Sequence, residues 1–172
     1  MSIRSRLIVV RHAPAENPGG VDDAARRLTA PGYRQMQAGA ETLAWVLPPP
    51  ENILTSPLVR AGETAAILAR AFGRVRPPVV TSALTPGFDR GRLLSELEPL
   101  WGAAPVMIVG HEPDLSGLLG WITAGTSREV VRLGPGTACI LELGSGYRGR
   151  IEALYPLEAL VRLGSGLSRI MA

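Results

Sequence analysis

The chain reads as an α/β protein with a mostly parallel central sheet between two layers of helices, and three observations carry that expectation. Two short apolar runs, Leu7-Ile8-Val9-Val10 and Val106-Met107-Ile108-Val109, have the length and β-branched content of strands buried on both faces. Stretches with helical spacing, opened by Thr29-Ala30-Pro31-Gly32 and by Ser56-Pro57, alternate with such strands along the chain. Only the segment around residues 138–154 has the look of a hairpin. Strands alternating with helices imply parallel pairing with helices on both faces of the sheet.

In order, Arg6–Val10 is predicted as the first strand. The loop from Ala13 to Leu28 carries Asn17-Pro18-Gly19-Gly20 and the acids Asp22 and Asp23. A helix capped by Thr29 runs to about Val46, with Met36, Ala40, Leu43 and Leu47 as its apolar stripe, and Pro48-Pro49-Pro50 stops it. Asn52–Thr55 is a strand. Ser56 then caps a helix that reaches Phe72 and closes at Gly73. Pro77–Val80 leads into an edge strand, and Gly91–Leu100 is helical. Val106–Val109 is followed by a helix at Pro113–Ile122 and by a strand at Val130–Leu133. Ala138–Leu143 and Arg150–Leu154 form the hairpin. Pro156–Ala172 is expected to be a short helix and a loose tail. No repeat or linker interrupts the 172 residues, so residues 1–172 are read as one domain.

Composition narrows the function. All 18 basic residues are arginine and the formal charge is +3. The arginines are spread along the chain and aromatics make up only 5 %, which argues against a nucleic-acid surface. Cys139 is the single cysteine, so an internal disulfide and cysteine-based metal clusters are excluded; it lies in an apolar run and reads as a core thiol. No apolar stretch approaches the ~20 residues needed to span a bilayer, and the N-terminus enters a strand without a signal peptide. The expectation is a soluble cytoplasmic protein without membrane contact.

Gly144-Ser145-Gly146-Tyr147-Arg148-Gly149 matches the dinucleotide-binding G-x-G-x-x-G pattern. That fingerprint must open a helix. Here Arg150–Leu154 alternates like a strand, so the glycines are read as a hairpin turn.

The chemistry lies elsewhere. His12 follows the first strand directly after Arg11, and His111 follows the later strand directly after Gly110. In open α/β sheets ligands bind beyond the carboxyl ends of the strands. Two histidines and an arginine there suit phosphoryl transfer, where a neutral imidazole attacks phosphorus and guanidinium forks hold the oxygens. Neighbouring cations disfavour imidazolium, so Arg11 and Arg60 would keep His12 nucleophilic.

Three segments taken together, Val10-Arg11-His12-Ala13, Thr55-Ser56-Pro57-Leu58-Val59-Arg60-Ala61-Gly62-Glu63-Thr64-Ala65 and Ile108-Val109-Gly110-His111-Glu112-Pro113, resemble the histidine phosphatase superfamily, the phosphoglycerate mutase-like fold. Within it the short chain, Arg26-Arg27-Leu28-Thr29-Ala30-Pro31-Gly32 and Leu84-Thr85-Pro86-Gly87 are similar to bacterial phosphohistidine phosphatases of the SixA type. The resemblance implies His12 as nucleophile, Arg11 and Arg60 as phosphoryl ligands, Arg26 as a third with Arg27 its rival, and His111 as a hydrogen-bond donor to the transferring group. It implies no metal and no cofactor.

Two departures stand out. Ala13 replaces the usual glycine after the Arg-His pair. The stretch Leu84-Thr85-Pro86 lacks the glutamate that mutase-like members place there. Glu112 is then the candidate general acid, or else a cap for the helix after Pro113. An imidazole leaving group, with pKa near ~6.5, departs without a strong acid. The expected substrate is therefore phosphohistidine on a partner protein, such as a histidine-containing phosphotransfer domain. The alternatives are a phosphatase of small phosphomonoesters and a non-catalytic phosphate-binding module.

Overall fold

The computed structural model describes residues 5–19, 22–73 and 76–170. Six strands form one sheet: β1 (Ser5–Arg11), β2 (Asn52–Thr55), β3 (Val79–Val80), β4 (Val106–Gly110), β5 (Ala138–Leu143) and β6 (Gly149–Tyr155). Their spatial order is β3-β2-β4-β1-β5-β6. The β1–β4, β2–β4 and β2–β3 pairs are parallel, and β5 runs antiparallel to both β1 and β6. Five helices surround the sheet: α1 (Ala30–Val46), α2 (Val59–Phe72), α3 (Arg90–Leu97), α4 (Asp114–Ala124) and α5 (Leu157–Ile170).

Alternation along β1 builds both layers. Ile8 and Val10 face Met36, Ala40 and Leu43 of α1, Ala61, Ala65 and Leu68 of α2, and Leu157 and Leu160 of α5. Leu7 and Val9 face Leu93 and Leu97 of α3 and Leu115, Leu118, Leu119 and Ile122 of α4. All four β1 residues are at most 1 % exposed, each worth roughly 1.5–3 kcal/mol of apolar burial. Cys139 is buried in the second layer, and burial pushes its thiol up to about 12, which leaves it unreactive.

Helix starts follow the sequence in part. The Thr29 side chain accepts the Gly32 N–H and opens α1. A Cβ at Gly32 would stand 2.2 Å from the Pro14 carbonyl oxygen, so only glycine lets the loop after β1 lie against this helix start. Ser56 does not cap α2. That helix starts at Val59 with Leu58 at its cap position, and Gly73 closes it. α3 is capped by Asp89 and continues into a 3-10 turn, Glu98–Leu100.

Two further expectations are corrected. Val130–Leu133 is not a strand. The Leu133 N–H donates to the Glu112 carboxylate and its carbonyl accepts from Arg11, so side chains take the groups a ladder would need. The C-terminal segment is a 14-residue helix rather than a short one with a tail. Gly39 of α1 makes room for it, since a Cβ there would lie 2.6 Å from Leu157 Cδ1. The glycine-rich stretch is the β5–β6 turn, with Gly146 and Tyr147 at φ 66° and 58°.

Candidate active site

The parallel register of β1 and β4 brings the two histidines together. Arg11 pairs with Gly110, so His12 and His111 each stand one residue past a paired strand end. The His12 N–H donates to the Gly110 carbonyl at 3.0 Å. The two imidazole centroids lie 5.2 Å apart, with the rings tilted by 51°. β2 lies on the other side of β4, and beyond its end Ser56 Oγ is 2.8 Å from His111 Nε2.

The hydrogen bonds assign the proton on the His12 ring. His12 Nδ1 lies 2.8 Å from the Ala13 carbonyl, which can only accept. His12 therefore carries its proton on Nδ1 and has a free lone pair on Nε2. Ser56 Oγ accepts the Leu58 N–H at 3.3 Å and, as a hydroxyl, can either donate its proton to His111 Nε2 or accept one from it. When Ser56 donates, His111 bears its proton on Nδ1; when Ser56 accepts, the proton is on Nε2.

Both rings are held neutral. Burial is the main cause that lowers His12 to about 4; the Ala13 hydrogen bond opposes it, while Arg60, Arg11 and Arg26 add to it. Burial, His12 and Arg60 lower His111 to about 3. Burial also lowers the Arg11 pKa, against the pull of Glu112, yet a guanidinium stays charged at every relevant pH.

This neutrality makes stability depend on pH. An unfolded histidine takes up a proton near pH 6.5, whereas these two in the folded protein resist protonation until about pH 4 and 3. Their contribution is complete above pH 6.5 and is lost as pH falls toward the folded values. Between pH 6.5 and 5, before most carboxylates titrate, the urea midpoint is expected to fall, and to fall less steeply in His111→Gln. A flat midpoint in the wild type over that range would count against neutral, buried imidazoles.

Arg60 sits in the first turn of α2, as expected, and is 4 % exposed. Its Nη1 donates to the Asp23 carbonyl at 2.6 Å and its Nη2 to Asp23 Oδ2 at 3.0 Å. Arg26 donates from Nε to the Glu16 carbonyl at 2.7 Å and from Nη1 to Asp23 Oδ1 at 2.6 Å. One carboxylate thus joins Arg26 to Arg60, and both arginines hold it below its ordinary range. Arg27 turns away to Glu63, with Nη2 2.6 Å from the carboxylate, and is exposed. Of the two rivals, the structure brings Arg26 to the site. Arg11 donates from Nη1 to the Leu133 carbonyl at 2.8 Å.

Among the described residues, the buried side-chain nitrogens and oxygens without a hydrogen-bond partner are Arg11 Nε, Arg60 Nε and His111 Nδ1. Native proteins leave few such groups unpaired, and each calls for a reason. Here all three belong to one site, and the two guanidinium nitrogens are donors suited to an anion.

Glu112 has another task. Its Oε1 accepts from Ser116 Oγ at 2.6 Å and from the Leu133 N–H at 2.8 Å, and its Oε2 from the Ser116 N–H at 3.2 Å. It caps the start of α4 and fixes Leu133, the residue whose carbonyl holds Arg11. Of the two roles open in the sequence, the geometry favours the anchor over the general acid. Glu112→Gln is accordingly expected to slow alkyl phosphates, aryl phosphates and phosphohistidine by one small common factor. A true general acid is worth ~10²–10⁴-fold and matters most for poor leaving groups. A hundredfold greater loss on alkyl than on aryl phosphates would restore the acid role.

Ala13, where glycine was the usual residue, is wholly buried, packs in the α1–α2 layer, and donates its N–H to Thr64 Oγ1 at 3.0 Å. Sequence reasoning missed Asp23 as a partner of both arginines and Ser56 as a partner of His111. Ser56 was visible as the residue after a third strand ending at the same sheet edge. Asp23 had only its place three residues before Arg26. No group of three or more His, Cys, Asp or Glu side chains among the described residues gathers as metal ligands.

A mostly parallel sheet that delivers two neutral imidazoles and converging guanidiniums to one edge defines a phosphatase site. The chain belongs to the histidine phosphatase superfamily: the model of its branch 1 matches residues 7–85, the span that holds Arg11, His12, Arg26 and Arg60. An uncharacterized protein of Picosynechococcus sp. (strain ATCC 27264 / PCC 7002 / PR-6) is 40 % identical over 114 residues, 63 % of this chain and 67 % of that protein. The fold is similar to that of the protein histidine phosphatase SixA complexed with tungstate, with a TM-score of 0.79 and 21 % identity over 90 % of this chain and 99 % of that one. It is also similar to mycobacterial glucosyl-3-phosphoglycerate phosphatase, with a TM-score of 0.66 and 22 % identity over 88 % and 99 % of the two chains.

Proposed function

We propose that this phosphatase removes the phosphoryl group from phosphohistidine on a partner protein, through a covalent intermediate on His12. The observation that carries the reading is the presence of three unpartnered buried nitrogens, Arg11 Nε, Arg60 Nε and His111 Nδ1, beside a neutral His12. His12 Nε2 attacks phosphorus as the bond to the substrate ring breaks, and that ring, already protonated on its other nitrogen, leaves as neutral imidazole. Water then attacks the phosphorus of phospho-His12 and restores the free ring. The arginines and His111 neutralise charge on the equatorial oxygens through both steps, which is the main work of a phosphoryl-transfer site.

The occupied state of Glu112 favours the P–N bond over an alkyl ester. Imidazole leaves a phosphoramidate as a weak base, so no carboxylic acid need stand beside it. The fold shared with a glucosyl-3-phosphoglycerate phosphatase keeps a small-molecule ester as the competing substrate.

The deciding experiment compares kcat/KM for a phosphorylated histidine-containing phosphotransfer domain with that for sugar phosphates and phosphoglycerates. The proposal requires the phosphohistidine protein to be preferred by at least two orders of magnitude. Preference for a sugar ester would replace it, and failure to turn over a generic aryl phosphate would leave only a phosphate-binding module.

A further inference from the structure

We propose that Asp23 is a positioning residue of the phosphoryl site, whose carboxylate ties Arg26 and Arg60 into one clamp; this rests on the reading of the site given above. The two arginines come from different parts of the fold, Arg26 from the loop after β1 and Arg60 from the first turn of α2. Like charges brought to one point repel. Asp23 sits between them with Oδ1 on Arg26 Nη1 at 2.6 Å and Oδ2 on Arg60 Nη2 at 3.0 Å, while its carbonyl takes Arg60 Nη1 at 2.6 Å. Two guanidiniums sharing one carboxylate keep a net positive charge for the substrate, yet no longer push each other apart.

The bonding pattern separates the edges of the forks. Arg60 spends one hydrogen of each terminal nitrogen on Asp23, which orients the guanidinium and leaves its buried Nε–H unpaired. Arg26 is held from behind by the Glu16 carbonyl on Nε. Asp23 itself stands on a 3-10 turn, Asp23–Ala25, capped by the Asp22 side chain, and its side chain is 58 % exposed. The turn is fastened at its far end, where Glu16 pairs with the Arg27 backbone and the Glu63 carboxylate takes the Leu28 N–H at 2.8 Å. The loop therefore presents Asp23 from a tethered base. A side chain this exposed, with both oxygens spent on site arginines, does its work on those arginines and not in the core.

The rival role for the same geometry is a plug, in which the carboxylate stands where phosphoryl oxygens bind and must be expelled. The two roles predict opposite signs. With tungstate as a tetrahedral oxyanion probe, calorimetric binding to Asp23→Ala and Asp23→Asn is expected to weaken about tenfold, the usual worth of hydrogen bonds to a charged group, with the thermal midpoint unchanged. Asp23→Glu is expected to recover most of the loss. In an Arg26→Ala background no second cation needs screening, so removing Asp23 there is expected to cost less than threefold. Unchanged or tighter binding in Asp23→Ala overturns the proposal, as does an equal loss in the Arg26→Ala background. A wild type that binds no tungstate overturns the phosphoryl reading of the site first, and this proposal with it.

Discussion

Replacing His12 with alanine is expected to lower turnover by about 10⁴-fold or more and to abolish the phosphoenzyme trapped by acid quench. The expectation follows from the ring itself. Burial and the nearby arginines keep it neutral, with a pKa lowered to about 4, and the Ala13 carbonyl holds its proton on Nδ1. Nε2 is thus a lone pair at neutral pH without help from a general base. His111, 5.2 Å away, does not replace it, because its Nε2 is engaged with Ser56. The residue is at a strand end whose backbone bond to Gly110 does not involve the side chain, so the variant is expected to fold. Full activity in His12→Ala, or phosphate recovered on another residue, would remove the nucleophile assignment.

How far the sequence anticipates this site depends on what each residue rests on. The strands that carry His12 and His111 are legible because burial on both faces demands a continuous apolar run, and that demand is local. That the two histidines are neighbours is not local: it depends on Arg11 pairing with Gly110 across 99 positions of chain, which only the sheet order decides. Glu112 shows the limit in another way. Its candidacy as an acid came from its place beside His111, whereas its role depends on Leu133, 21 residues on, which reads as strand by composition. The same contact explains why that strand is absent. Once a carboxylate and a guanidinium have taken the Leu133 N–H and carbonyl, the backbone has no ladder left to join. Asp23 is the hardest case. A loop acid in a run of polar residues has no periodicity to betray it, and its meaning comes only from two arginines that meet in space.

Arg60→Ala is expected to cost about 10²–10³-fold in kcat/KM, the range found when one preorganised donor to a developing charge is removed. Arg60 is buried, its terminal nitrogens are fixed by Asp23, and its Nε–H is unpaired. Arg60→Lys is expected to recover little. An ammonium is a point charge without the planar fork, and it cannot keep both the carbonyl and the carboxylate of Asp23 while also facing substrate. A second readout separates this role from loss of fold. Arg60 is among the causes that lower both histidines, so in either variant's folded state the effect on their titration has a known sign. With alanine a cation is gone, protonation becomes easier, and the imidazole resonances are expected to titrate at higher pH; with lysine the charge remains and the shift is expected to be smaller. If Arg60→Ala raises the titration of both rings yet keeps wild-type affinity for an oxyanion and wild-type kcat/KM, then Arg60 tunes the histidines without holding the phosphoryl group, and the clamp must be sought in Arg11 and Arg26 alone.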